Sequence, residues 1–210
     1  MLKILVADDH TIVRDGLRQI LGEVPDMIVA GEASDGVQAL HKVREDHYDV
    51  VLLDIAMPGI SGVDVLKQLK LEKPDLPVLM LSMYPEEQYA MRTLKAGAAG
   101  YLTKESASDE LITAIRKVCG GGKYITSSLA EKLAFCLDSH SDQPVHERLS
   151  DREYQVVRMI ASGKTVTEIA EELYLSVKTI STNRSRALIK MGMKTNAEIT
   201  YYAIKHGLVD

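Results

Sequence analysis

Five short apolar runs punctuate the first 120 residues: LKILVA (2–7), MIVAGEA (27–33), DVVLL (49–53), PVLMLS (77–82) and AGYLT (99–103). The first, third and fourth are nearly continuous in Ile, Leu and Val, the pattern of parallel strands covered on both faces. Between them the apolar positions recur at helical spacing. Ile12, Val13, Gly16, Leu17, Ile20 and Leu21 share one predicted face. Val37, Leu40 and Val43 form a second stripe, Val63, Leu66 and Leu69 a third, and Leu111, Ile112, Ile115 and Val118 a fourth. Strand and helix alternate five times, which predicts a doubly wound α/β layer around a five-stranded parallel sheet.

Beyond Gly120-Gly121-Gly122 the pattern changes. Residues 127–137, with Leu129, Leu133 and Leu137 four apart, predict a short helix. Residues 138–148 (DSHSDQPVHER) are polar and aperiodic, as a linker is. From Leu149 onward only helical patterns occur. Ser150 with Glu153 three residues later predicts a capping box opening a helix over 151–161. Helices over 167–173, 177–191 and 196–206 complete an all-α four-helix set, with Gly163 and Gly192 as stops. The expected organisation is a first domain over 1–125, a linker with a short helix over 126–148, and a second domain over 149–210.

Composition narrows the class. No apolar run approaches the length of a membrane helix. The opening MLKILVADD turns acidic too soon for a secretory leader. With two cysteines, Cys119 and Cys136, no disulfide framework is available, so a reduced, cytoplasmic chain is expected. The formal net charge of −5 hides an asymmetry. The first 148 residues carry −7 and residues 149–210 carry +2. Between Glu172 and Glu198 stand Lys178, Arg184, Arg186, Lys190 and Lys194 with no acid. Two domains with different partners are implied.

In an open α/β sheet, ligands sit beyond the carboxyl ends of the strands, where the strand order reverses. With an order 2-1-3-4-5, Asp8 and Asp9 after the first strand converge with Asp54 at the end of the third. Three crowded carboxylates call for a hard divalent cation with oxygen ligands, and Mg²⁺ suits a site of few protein ligands. A carboxylate beside such an ion can attack phosphorus and form an acyl phosphate. Ser82 and Lys104, ending the fourth and fifth strands, are placed to contact phosphoryl oxygens. His10 reads as a surface residue in the first helical turn.

Asp8-Asp9, Asp54 within DIAMPGISG, Ser82 and Tyr101-Leu102-Thr103-Lys104 together resemble the receiver domain of bacterial response regulators, a flavodoxin-like fold, over about residues 1–120. The resemblance implies that Asp54 is the phosphoacceptor. Asp8, Asp9, Asp54 and the backbone carbonyl of Ala56 would be the metal ligands. Ser82 and Lys104 would be phosphoryl contacts and Tyr101 a switch aromatic. It also implies a histidine kinase as donor. Two departures stand out. Glu105 follows Lys104 where the family often has Pro in a cis peptide. Ala56 and Tyr84 flank the acceptor and offer no carboxylate or amide to orient water, so slow self-dephosphorylation is expected.

Thr167 to Leu173, a break at Tyr174-Leu175-Ser176, and 177–191 have helix-turn-helix shape. On the second helix Ile180, Ala187 and Met191 form the predicted core face. Lys178, Thr179, Ser181, Thr182, Arg184, Ser185 and Arg186 are the candidate contacts to double-stranded DNA, where small polar residues permit close approach in the major groove and basic ones meet phosphates. Leu149-Ser150-x-Arg152-Glu153, Glu168-Ile169-Ala170, Ser176-x-x-Thr179-Ile180 and Lys190-Met191-Gly192 resemble the LuxR-type helix-turn-helix of the NarL/FixJ response regulators. Val166, Ser181 and Asn183 depart from its common Asn, Lys and His. The implied protein is a non-enzymatic, phosphorylation-controlled transcription regulator that forms a homodimer, with the last helix (Ile199, Tyr202, Ala203, Ile204) as core or dimer contact. An aspartyl-phosphate hydrolase and a protein-interaction regulator without DNA binding are the alternatives. Ala56 argues against the first, since such enzymes use a carboxylate there.

Overall fold

Residues 1–106, 108–126, 129–131 and 144–209 are described in a computed structural model, with the backbone alone at residues 87 and 88. The chain divides into two compact units, Met1–Leu133 and Ala134–Asp210. No helix among the described residues is long and apolar enough to cross a membrane.

The first unit holds five parallel strands, β1 (Leu2–Ala7), β2 (Met27–Ala33), β3 (Val50–Asp54), β4 (Val78–Ser82) and β5 (Gly100–Thr103), in the order β2-β1-β3-β4-β5. Every residue of β3 and β4 is buried, which is why their sequences run apolar without alternation. The helices are α1 (Thr11–Gly22), α2 (Gly36–Glu45), α3 (Gly62–Glu72), α4 (Glu86–Lys95) and α5 (Ser108–Cys119). Leu17 and Leu21 of α1 and Leu111, Ala114, Ile115 and Val118 of α5 share a core with Ile4, Val6, Leu52 and Leu79. The intervening positions Leu5, Val51, Leu53 and Met80 are equally buried, so both faces of the sheet are covered. Full burial of each such side chain contributes about 1.5–3 kcal/mol.

Two predicted stripe residues lie outside the core. Ile12 is 82% exposed and Val37 61%. Ile12 precedes Leu17 by five positions and Val37 precedes Val43 by six, offsets of about 140° and 120° around a helix. Each therefore turns off the inward line. Of the predicted helix over 127–137, only residues 129–131 are among those described; they are helical, and Leu129 is buried.

Among its described residues the second unit contains a 3₁₀ turn at Val145–Arg148 and four α-helices: α6 (Asp151–Ala161), α7 (Val166–Glu172), α8 (Val177–Met191) and α9 (Asn196–Lys205). The Ser150/Glu153 capping box opens α6 as predicted. A second box, Thr165/Glu168, starts α7 one residue earlier than the apolar pattern indicates. Ser176 caps α8, its oxygen accepting from the Thr179 N–H at 3.0 Å. Gly192 ends α8 in the left-handed region at φ 69°, where a side chain would be strained.

Candidate functional site

β1 and β3 are neighbours, so their carboxyl ends bring Asp8 and Asp54 together. Both are almost fully buried, and Asp9 is partly exposed. Lys104, just past β5, reaches across. Its Nζ donates to Asp54 Oδ2 at 2.9 Å and lies 2.6 Å from Asp8 Oδ2. Its backbone N–H donates to the Ser82 carbonyl at 2.8 Å, tying the lysine to the end of β4. Ser82 is fully buried, and its Oγ accepts from the Tyr84 N–H at 3.0 Å. No cis peptide occurs among the described residues, so the Lys104–Glu105 bond is trans.

The electrostatics are those of crowded carboxylates relieved by one ammonium. Burial pushes the Asp54 carboxyl above its ordinary range; Lys104 pulls it back, and Asp8 pushes it up again. Burial disfavours the Lys104 ammonium, but Asp54 and Asp8 together hold its pKa above the ordinary lysine value. Asp8 Oδ2 and Asp9 Oδ1 are shut from solvent without a well-directed hydrogen bond. Lys104 Nζ lies near the first and His10 Nδ1 2.8 Å from the second, but both approach at poor angles. Under-satisfied buried anionic oxygens at a strand switch point fit a divalent cation. Asp8, Asp9, His10 and Asp54 each offer a ligand atom, all within 4.8 Å of one another. His10 is a surface residue, its side chain 57% exposed, and its ring nitrogen faces both neighbouring carboxylates.

In the second unit α8 buries Ile180, Ala187, Leu188 and Met191. Lys178, Thr179, Thr182, Ser185 and Arg186 are exposed; Ser181 and Arg184 are half-buried. Arg184 Nε donates to Asn196 Oδ1 at 2.5 Å, which anchors the guanidinium to the start of α9. Lys190, from the last turn of α8, meets buried Glu153 at 2.6 Å. On α9, Ile199 and Ala203 are core, whereas Tyr201 and Ile204 are exposed. Tyr202 is held by His146 Nδ1 at 2.9 Å.

The chain matches the response regulator receiver domain over residues 4–116 and the luxR family of bacterial regulatory proteins over 147–203. It is 38% identical to the response regulator UvrY of Escherichia coli strain K12 over 99% of this chain and 96% of that protein. It is also 38% identical to the response regulator GacA of Pseudomonas protegens, covering 100% and 99%. The chain is a response regulator of the NarL/FixJ type. Among solved structures, RcsB of Salmonella enterica serovar Typhimurium, bound to promoter rprA with phosphomimetic BeF₃⁻, superposes with a TM-score of 0.66 at 28% identity. That match covers 96% of this chain and 97% of that one.

Several contacts of this response regulator carry no sequence signal. Tyr101 is 2% exposed, and its hydroxyl donates to the Tyr84 carbonyl at 2.8 Å, clamping the segment between Ser82 and α4. Past α5 the chain returns to the edge of β5, where Tyr124 bridges Gly100. The Tyr124 hydroxyl donates to Glu110 at 2.8 Å; burial and this carboxylate push the phenol up to about 12. Thr126 Oγ1 donates to both oxygens of Glu86, the first residue of α4, at 2.7 Å, and accepts from the Leu129 N–H at 3.2 Å. Arg14 Nη1 holds the Asp8 carbonyl at 2.8 Å. Of these only Arg14, a basic residue one turn into α1, stands where a pattern search around Asp8 would look.

Proposed function

We propose that Asp54 accepts a phosphoryl group from a histidine kinase and that this controls transcription through α8 on double-stranded DNA. The observation that carries the reading is the convergence of Asp8, Asp9, Asp54 and Lys104 at the one place where the strand order reverses. A carboxylate oxygen of Asp54 bonds to phosphorus as the phosphorus–nitrogen bond of the donor's phosphohistidine breaks, and the leaving nitrogen retains the electron pair. Lys104 neutralises charge on the transferring oxygens, and the Ser82 hydroxyl donates to one of them. Asp8, Asp9, Asp54 and the Ala56 carbonyl would hold Mg²⁺, which when bound offsets the carboxylates and the phosphoryl charge. Ala56 and Tyr84 place no acid or amide beside the acceptor, so the acyl phosphate is long-lived.

Ser82 and Tyr101 both grip Tyr84, at its N–H and its carbonyl respectively. A phosphoryl group that takes the Ser82 hydroxyl shifts this segment and, with it, the start of α4. Thr126 couples that start to the chain leaving the sheet. Thr126→Val, which keeps the shape and loses the hydroxyl, leaves phosphoryl labelling by a small phosphodonor unchanged. The gain in DNA affinity on phosphorylation falls by about fivefold or more, within the usual range of coupling energies. Thr126→Ser restores it. Mass spectrometry and gel retardation read the two effects separately.

The exposed face of α8 is the DNA-reading element of this proposal. Lys178→Ala and Arg186→Ala each lower affinity for all sequences alike. Each reduces the slope of log affinity against log salt by about one, the signature of a lost phosphate contact. Fluorescence anisotropy across a salt series checks this, and unchanged slopes place the contacts elsewhere. The reading includes a homodimer on DNA, with exposed Tyr201 and Ile204 of α9 as the candidate contact.

A further inference from the structure

We propose that Tyr174 contacts the DNA backbone, its phenol hydroxyl donating to a phosphate oxygen at the rim of the groove that α8 enters. The inference rests on the reading of α8 as the DNA-reading helix. The four helices described in the second unit close in the same way, with two backbone hydrogen bonds that fold the chain back on the last turn. In α6 the Gly163 N–H donates to the Ile160 carbonyl and the Lys164 N–H to that of Met159; in α8 the donors are Gly192 and Met193, and in α9 Gly207 and Leu208. In α7 the Tyr174 N–H donates to the Glu171 carbonyl at 3.2 Å and the Leu175 N–H to the Ala170 carbonyl at 2.8 Å. The first donor of each pair takes a positive φ. It is glycine at 88°, 69° and 63°, and tyrosine at 53°.

Tyr174 is the one non-glycine residue with positive φ among the described residues. A Cβ there crowds the following carbonyl oxygen, and a bulky side chain at such a position is an outlier. Packing inside the unit does not offset that cost. Tyr174 is 75% exposed, and its hydroxyl meets no partner among the described residues. A strained residue whose side chain faces solvent points to a role outside the unit.

The place of Tyr174 in the chain names that role. Ser176, two residues on, caps α8, and Lys178 stands exposed in its first turn. The N-terminal residues of a recognition helix reach base edges, so the turn before it runs along the phosphates that border the groove. Tyrosine suits this position, being a rigid side chain with two torsions and a hydroxyl donor at its tip.

A hydrogen bond of this kind carries no sequence information. Its loss lowers affinity for all sequences alike and leaves the salt slope unchanged, because an uncharged hydroxyl displaces no counterion. Fluorescence anisotropy of the full chain on a labelled mixed-sequence duplex, across a salt series, tests this. In Tyr174→Phe, which keeps the ring and the backbone conformation, affinity falls about five- to tenfold at every salt concentration, with the slope of the parent. Lys178→Ala, measured beside it, lowers the slope. Tyr174→Asn places a residue that tolerates the left-handed region at the turn. Its urea midpoint equals or exceeds that of the parent while its DNA affinity falls at least as far. Parent-like binding of Tyr174→Phe, with the slope lowered in Lys178→Ala, overturns the Tyr174 contact and leaves α8 standing. Parent-like binding of both variants overturns the reading of α8 as well. A lower urea midpoint in Tyr174→Asn assigns the ring a structural role and overturns the contact.

Discussion

Replacing Asp54 by Asn abolishes phosphoryl labelling by a small phosphodonor in Mg²⁺, a loss of about a thousandfold or more, read as the absence of a mass increment on the intact protein. The amide oxygen is a poor nucleophile and the adduct it would form has no stable neutral form. The variant nonetheless folds. A carboxyl whose pKa is raised on folding binds its proton more tightly in the folded state. Stability therefore falls as pH rises through the ordinary carboxylate range toward the raised value. Burial is the leading cause of the rise at Asp54, so asparagine removes a desolvation cost. Lys104 keeps Asp8 as its partner. Thermal melting at neutral pH is expected at or above that of the parent. Labelling that persists in the variant would move the acceptor to Asp8 or Asp9.

Gly62→Ala is the most disruptive single-methyl change at the site. A Cβ on Gly62 would stand 1.9 Å from the Asp54 carbonyl oxygen and 2.8 Å from its carbon. Both are backbone atoms at the buried end of β3, and Gly62 N–H already donates to the Ile55 carbonyl at 3.0 Å. Neither neighbour can swing aside as a side chain would. Relief requires moving either the first turn of α3 or the residue that carries the acceptor carboxylate. The expected cost is about 3 kcal/mol, the upper end of ordinary overpacking, read as a lower urea midpoint at constant m. Phosphoryl labelling slows even where the variant stays folded, because the Lys104–Asp54 distance depends on that backbone. Gly59, in the same loop, has open space around it but φ of 75°. Its alanine variant is a milder control that strains the loop without pressing on Asp54.

The periodicities of the sequence alone determine the parallel sheet, four of its flanking helices and the helix-turn-helix, while α4 carries no stripe. Burial on both faces of β3 and β4 leaves apolar runs, and a half-buried helix leaves stripes every three to four residues. Capping chemistry is local too, so Ser150, Ser176 and Gly192 mark helix ends without any tertiary information. Asp8, Asp9, Asp54, Ser82 and Lys104 are legible for the same reason: each ends a predicted strand, and strand ends share one edge of a parallel sheet. Thr165-x-x-Glu168 carries the same local capping signature.

Other features depend on distances between segments far apart in the chain. Gly62 looks like a loop residue until the Asp54 carbonyl is placed against it. Thr126 looks like linker until its hydroxyl meets Glu86, 40 positions earlier. The His10 ring nitrogen meets the Asp8 and Asp9 carboxylates because the turn after β1 folds it back over them. Sequence encodes what repeats along the chain or acts within one turn; contact across the fold arises from packing, which has no period to read.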